Sequence, residues 1–146
     1  MKLTGKWWAT LYGAPDEIKQ TLHGKNVIVT TGKQFLVDYL ASAAAAASTF
    51  TMRYVAIGNN NTGEAVGDTA LGGELARVSA VVSSATAIYR LTATFASGVG
   101  TGNIYEYGVF STLTSGAGTM FSRDNEGLIT KGANDQLVVT TEITVS

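Results

Sequence analysis

Residues 87–95, AIYRLTATF, place Tyr89, Leu91, Ala93 and Phe95 on one side of an extended chain and Arg90, Thr92 and Thr94 on the other. Strict alternation of this kind is the signature of a strand with one face in a core and one in water. The last eleven residues, QLVVTTEITVS (136–146), repeat it, with Leu137, Val139, Thr141, Ile143 and Val145 together on one face. Working outward from these two, strands are expected over 77–84, 51–58, 103–111 and 119–123, with SSAT (83–86) as a short hairpin link. Glycine- and asparagine-rich punctuation at 59–63, 97–102, 114–118 and 131–135 separates them. Near the start, Trp7, Ala9 and Leu11 alternate with Lys6, Trp8, Thr10 and Tyr12. GAPDE (13–17) then turns the chain into a second arm over 18–22, and NVIVT (26–30) gives a third short strand. About nine short strands in this order predict a mainly β fold, a β-sandwich or jelly roll, in a single domain spanning 1–146.

One segment breaks the period of two. Phe35, Leu36, Tyr39, Leu40, Ala43, Ala44 and Ala47 recur on one helical face, with Lys33 and Asp38 opposite. A single helix is expected over residues 32 to about 47, beginning at Gly32 and ending near Ala47. Thr31 and Gln34 are spaced for a capping box at its start. The long connection 64–78 is read as loop with one helical turn at 68–71 capped by Asp68.

Composition narrows the function classes. Apolar residues make up 45% and charged residues 14% of the 146, which supports a core but leaves a lightly charged surface, as in a packed assembly. Ten basic residues against eleven acidic ones supply no field for gathering nucleic acid or anionic lipid. Without cysteine there are no disulfides, thiolate metal sites or cysteine nucleophiles. MKLTGKWWATLYG lacks the apolar run of a secretion signal, and LASAAAAAS (40–48) falls far short of the ~20 residues that cross a bilayer, so synthesis in a cytoplasm and no membrane partner are expected.

The inventory for chemistry is thin. His23, the one histidine, stands beside Gly24 and Lys25 in an expected turn, without a second His or a Cys to share a metal or a proton relay. GVGTG (98–102) has the glycines of a phosphate loop but neither a following GK[ST] nor a helix, and reads as a turn. In RDNEG, Asp124, Asn125 and Glu126 offer oxygen ligands for a divalent cation, but the alternating EF-hand pattern is absent and a solvated loop is the simpler reading. Asp68, Glu74 and Arg77 read as a cap and a surface ion pair. No catalytic residue, metal ligand or cofactor is assigned, and no enzyme is expected. Adjacent Trp7 and Trp8 point to opposite faces of a strand, which leaves one ring for a core and the other for a partner or a sugar.

Five stretches, GKWWATLYG (5–13), NVIVTTGKQFLVDYLASAA (26–44), RYVAIGNNNTGEAVGDTALGGELAR (53–77), NIYEYGVFS (103–111) and TMFSRDNEGLITKGANDQLVVTTEITVS (119–146), together cover nearly the whole chain. Their order and spacing resemble small virion proteins of tailed bacteriophages, of the capsid cement, or decoration, type. In such sequences an IGxG strand, a DTAL..E..R loop, an EYGLF strand and a closing KxxxDxLxVTxxITV strand follow one another. Related patterns occur in tail, fibre and baseplate components, some of which bind glycans.

The resemblance implies a homotrimer on the outer capsid surface of the virion, bridging subunits of the major capsid protein, with no active site. Two contact regions are expected on that basis. Residues 1–12, with Trp7, Trp8 and Tyr12, would form an interface arm, and the loop from Asn59 to Glu74, with Asn59, Asn60 and Asn61, would fit a capsid groove.

Overall fold

The structure is a computed structural model, described for residues 2–41 and 51–146. Along the chain it contains β1 (Leu3–Gly13), β2 (Glu17–Gly24), β3 (Val27–Ile28), α1 (Thr30–Ala41), β4 (Tyr54–Gly58), β5 (Glu74–Ser79), β6 (Val81–Ala85) and β7 (Ile88–Phe95). These are followed by β8 (Gly102–Ile104), β9 (Glu106–Phe110), β10 (Met120–Asp124), β11 (Ile129–Lys131) and β12 (Gln136–Val145). Two five-stranded antiparallel sheets, ordered β2-β1-β12-β7-β6 and β3-β10-β9-β4-β5, enclose one core, and β11 pairs with β8 in a small third sheet. The fold is therefore mainly β and sandwich-like, as the alternation in 87–95 and 136–146 requires.

The inward faces are those expected. Trp7, Ala9 and Leu11 on β1, Leu91, Ala93 and Phe95 on β7, and Leu137 and Val139 on β12 pack against Val55, Ile57, Tyr107, Val109 and Phe121 of the second sheet. The C-terminal strand lies between β1 and β7, with Leu3 opposite Val145 and Leu137 opposite Phe95, so the first and last strands are neighbours in the interior of the sheet. Of residues 1–12, expected as an interface arm, 3–12 belong instead to β1, an interior strand paired on both sides. Trp7 and Leu11 have too much apolar surface, and their backbone too many paired groups, for this segment to hang free.

Twelve strands are found among the described residues rather than about nine, because two expected strands break in the middle. Residues 77–84 divide into β5 and β6, which belong to different sheets, and Ala80 at the crossing donates its N–H to the Arg53 carbonyl (2.8 Å). Residues 103–111 divide into β8 and β9, with Tyr105 between them donating to the Gly58 carbonyl (3.0 Å). An alternating pattern marks which side chains face a core but carries nothing about which sheet supplies it. The short strand β11 had no alternation long enough to read. Only Val27 and Ile28 of the expected 26–30 strand are extended, since the helix begins immediately after them.

Helix α1 starts two residues before Gly32, and the capping box does not form. The Val29 carbonyl accepts the first helical hydrogen bond, from Lys33 N–H, so Val29 holds the N-cap position. It is fully buried in a second cluster with Ala56, Leu71, Phe110 and Met120, and a capping hydroxyl there would be desolvated. Thr30 N–H donates to the Val66 carbonyl, and Thr31 Oγ1 to that of Met120 (2.8 Å), while the Gln34 amide turns to Asp38. Gly32 lets this turn lie on β10, since a Cβ there would stand 2.2 Å from the Phe121 carbonyl oxygen. The second half of the expected helix falls outside the described residues. Within Thr30–Ala41 the apolar stripe is only half covered: Phe35 and Leu36 pack on the core, whereas Leu40 is 80% exposed.

The second cluster lies on the face of β9 and β10 opposite the main core. Both faces of these strands are therefore covered, and every residue of each is buried, including Glu106, Arg123 and Asp124. No helical turn forms at 68–71, where the chain runs irregularly back to β5. GVGTG is a turn, with Gly100 at φ +67°. Among the described residues, no helix is long and apolar enough to cross a membrane.

Candidate functional site

Strand β10 sends Arg123 and Asp124 to opposite faces, as successive strand residues must go. Arg123 enters the outer face of the second sheet and organises the 59–73 loop. Its Nε and Nη2 donate to Glu106 Oε2 (3.1 and 2.9 Å), Nη1 to Asp68 Oδ2 (2.9 Å) and the Gly63 carbonyl, and Nη2 also to the Thr62 carbonyl (2.8 Å). Glu106 accepts in addition from the backbone N–H of Gly72 (2.9 Å), Gly73 (2.7 Å) and Asn60 (3.3 Å). A fully buried ion pair thus holds both ends of a loop that has few apolar side chains to hold it. Asp68 takes part by accepting from Ala65 N–H (2.8 Å) and Arg123 rather than by capping a helix.

Asp124 faces inward, at the end of the space between the sheets. Its side chain is buried, and neither carboxylate oxygen has a hydrogen-bond partner; Trp7 Nε1 and the Tyr107 hydroxyl are likewise without partners. Glu64 from the loop and Glu126 from the β10–β11 connection bring their carboxylates alongside, with oxygens of all three groups within 4.8 Å of one another. Burial pushes the Asp124 carboxyl up to about 8; the Trp7 indole N–H opposes this and the charges of Glu126 and Glu64 add to it. The indole N–H favours the ionised form by its proximity without reaching hydrogen-bond geometry. Burial, with a smaller contribution from Asp124, also raises the Tyr107 phenol. Gly24 leaves the space that Glu126 occupies, since a Cβ there would meet Glu126 Oε2 at 2.1 Å.

Of the candidate contact residues, Trp7 stacks on Tyr107 in the core (4.3 Å between ring centroids, 26° between planes). Trp8 and Tyr12 fall on the opposite, outer face of the first sheet, where both are half-buried. The Trp8 ring lies near Lys6 and Arg90, whose charged groups are 5.8 and 5.9 Å from its centroid. Asn59 and Asn61 are exposed, and half-buried Asn60 is fixed in place by accepting from Thr62 N–H (2.7 Å) and the Asn125 amide (2.8 Å). The aromatic and asparagine candidates therefore lie on different sheets and do not form one patch. His23 is exposed on β2, opposite Trp8, rather than in a turn. Glu74 and Arg77 do pair (2.8 and 2.9 Å), but as a largely buried pair rather than a surface one, with the guanidinium 3.7 Å from the Phe110 ring centroid.

On the outer face of the first sheet, Glu142 stands directly opposite Lys6 on one side and Arg90 on the other. Lys6 Nζ is 2.7 Å from Oε1, and Arg90 Nε donates to Oε2 at 2.6 Å. The Lys6 contact, helped by Arg90 and opposed by burial, holds this carboxyl below its ordinary value of 4.5. A lowered carboxyl pKa stabilises the fold above its unfolded value, and that contribution is lost as pH falls through the folded value. Glu142→Gln is accordingly expected to melt below wild type at neutral pH, with the gap narrowing as pH falls below 4.5 through the lowered folded value, where both chains come to carry a neutral side chain. A gap that persists unchanged in acid would assign the effect to packing.

Sequence reading missed an apolar groove on the surface. A groove of about 520 Å³ runs between α1 and the β6–β7 hairpin, lined by Leu3, Leu36, Met52, Val82, Ile88 and Val145 among others. Beside it, β6 is an edge strand of VVSSA, uncharged and exposed at all five positions, with Val81 74% exposed. Such an edge is a ready template for another chain unless something covers it. The only signal for it in the sequence was the uncharged run 78–89, which the expected burial in a strand explained equally well. No protein-family model, curated protein or solved structure matches this chain.

Proposed function

We propose that this chain is a non-catalytic structural protein of a tailed bacteriophage, a capsid decoration protein that binds the outer shell as a homotrimer and bridges subunits of the major capsid protein. The observation that carries this reading is an apolar end of the sandwich that no described residue covers, where the groove lined by Leu36, Val82 and Ile88 lies beside the exposed β6 edge, with the exposed Leu40 one helical turn beyond Leu36. Association would bury these groups, and an uncharged edge strand suits pairing with a neighbouring chain. Residue order across five stretches of the sequence, which resembles virion proteins of this type, supplies the identity of the partner. A decoration protein works by repetition: modest contacts multiplied over a shell hold far more strongly than any one of them.

The test is to mix the purified chain with expanded heads that lack it, count the copies bound and follow the rupture temperature of the heads. Saturable binding that raises the rupture temperature is the expected result. Heads that bind none overturn the capsid role, and incorporation into tails would then assign the chain to a tail or baseplate position. Leu40→Lys and Val81→Lys, both at strongly exposed positions, are expected to change stability by less than about 0.5 kcal/mol. Together they are expected to weaken head binding at least tenfold, since burying one such side chain is worth about 1.5–3 kcal/mol.

A further inference from the structure

We propose that Glu64, Asp124 and Glu126 bind a calcium ion, which clips the 59–73 loop to the β10–β11 connection. Oxygens of the three carboxylates lie within 4.8 Å of one another. Calcium takes oxygen ligands at about 2.3–2.6 Å, so ligands on opposite sides of one ion stand about 4.6–5.2 Å apart and the cluster can close on it with little movement.

The independent observation is the state of Asp124. Four carboxylates are buried among the described residues: Glu106, Asp124, Asp135 and Glu142. Three have a cation of the chain against them, Arg123 on Glu106, Lys19 on Asp135, and Lys6 with Arg90 on Glu142. Asp124 has none, and both of its oxygens are buried without a partner although it is 98% shielded from water. Its neighbour Arg123 cannot serve, because its guanidinium is committed to Glu106, Asp68 and two carbonyls on the other face of the sheet. A buried carboxylate with no counter-charge and no donor in hydrogen-bond geometry is expensive, and this one is aimed into a cluster of two more. An ion bound between them supplies the missing charge.

The ligand set selects the class of ion. All three groups are hard oxygen donors with no imidazole or thiolate among them, which favours calcium over zinc or copper. Magnesium demands near-ideal octahedral geometry at about 2.0–2.1 Å and gives up its waters reluctantly, which suits a clip of three carboxylates from separate segments less well. Glu126 is exposed and Glu64 half-buried, so the solvent side stays open for waters to complete the coordination shell. Since Glu64 comes from the loop, Asp124 from the end of β10 and Glu126 from the connection after it, the ion would reinforce the attachment that Glu106 and Arg123 make on the opposite face.

Calorimetric titration of the EDTA-stripped full chain with calcium chloride is the decisive measurement. One saturable site per chain is expected, and calcium at a hundred times its Kd should raise the folded-to-unfolded ratio about a hundredfold. Terbium, which takes the same oxygen ligands, should show emission sensitised by Trp7 and displaced by calcium. Glu126→Gln alters an exposed side chain and leaves the core intact; it is expected to weaken calcium binding at least tenfold while melting like wild type in EDTA. Asp124→Asn should abolish binding. No saturable binding up to about 10 mM calcium, tenfold beyond the weak end of protein sites, would overturn the proposal. So would an unchanged Kd in Glu126→Gln.

Discussion

Glu106→Ala is expected to cost about 3–5 kcal/mol of stability, read as a lowered urea midpoint, because it strands a buried arginine. Glu106 is fully buried, and its carboxylate meets Arg123 Nε and Nη2 together with the N–H groups of Asn60, Gly72 and Gly73. Removing it leaves Arg123 with Asp68 as its remaining charged partner and leaves three backbone donors to find water. The 59–73 loop has little apolar surface of its own, so its amide protons should lose protection from exchange before those of β9 and β10. Glu106→Gln keeps the shape and an acceptor but not the charge, and should fall between wild type and alanine. A double replacement, Glu106→Leu with Arg123→Met, should recover much of the loss, since removing both charges avoids the uncompensated one. A loss below about 1 kcal/mol for Glu106→Ala would mean that water already reaches the pair.

Trp7→Ala is expected to cost a similar amount, about 3–5 kcal/mol, through the cavity it opens. Trp7 projects from β1 in one sheet and stacks on Tyr107 from β9 in the other, so its ring is a direct bridge between the two layers. With 2% exposure it forfeits nearly all of its buried area on truncation. Trp7→Phe retains a ring for Tyr107 and should lose less, while Trp8→Ala, on the half-exposed outer face, should lose least. If Trp7→Ala and Trp8→Ala were equally mild, the packing of the two sheets through Trp7 would be wrong. The Trp7 and Glu106 effects should be nearly additive, because the two side chains lie on opposite faces of the second sheet and share no hydrogen-bond partner.

The alternation of Trp7, Ala9 and Leu11, of Tyr89 to Phe95 and of Leu137 to Ile143 was enough to establish a mainly β fold and to say which side chains meet in its core, because those faces depend only on the period of a strand and on apolar burial. The helix was legible for the same reason, from the change of period at Phe35. Tertiary structure alone decided that 77–84 changes sheets at Ala80, that the helix starts on a buried Val29 instead of a capping threonine, and that the first strand is interior. It also decided that Glu106 and Arg123, seventeen residues apart and unremarkable in the sequence, are brought side chain to side chain by the pairing of β9 with β10. Asp124 and Glu126 were visible as possible oxygen ligands, but their third neighbour, Glu64, lies sixty residues earlier in the chain and reaches them only through a folded loop. Local pattern reports how each segment faces a core; which distant polar groups then meet, and whether any is left without a partner, depends on sheet order and register, which no single segment encodes.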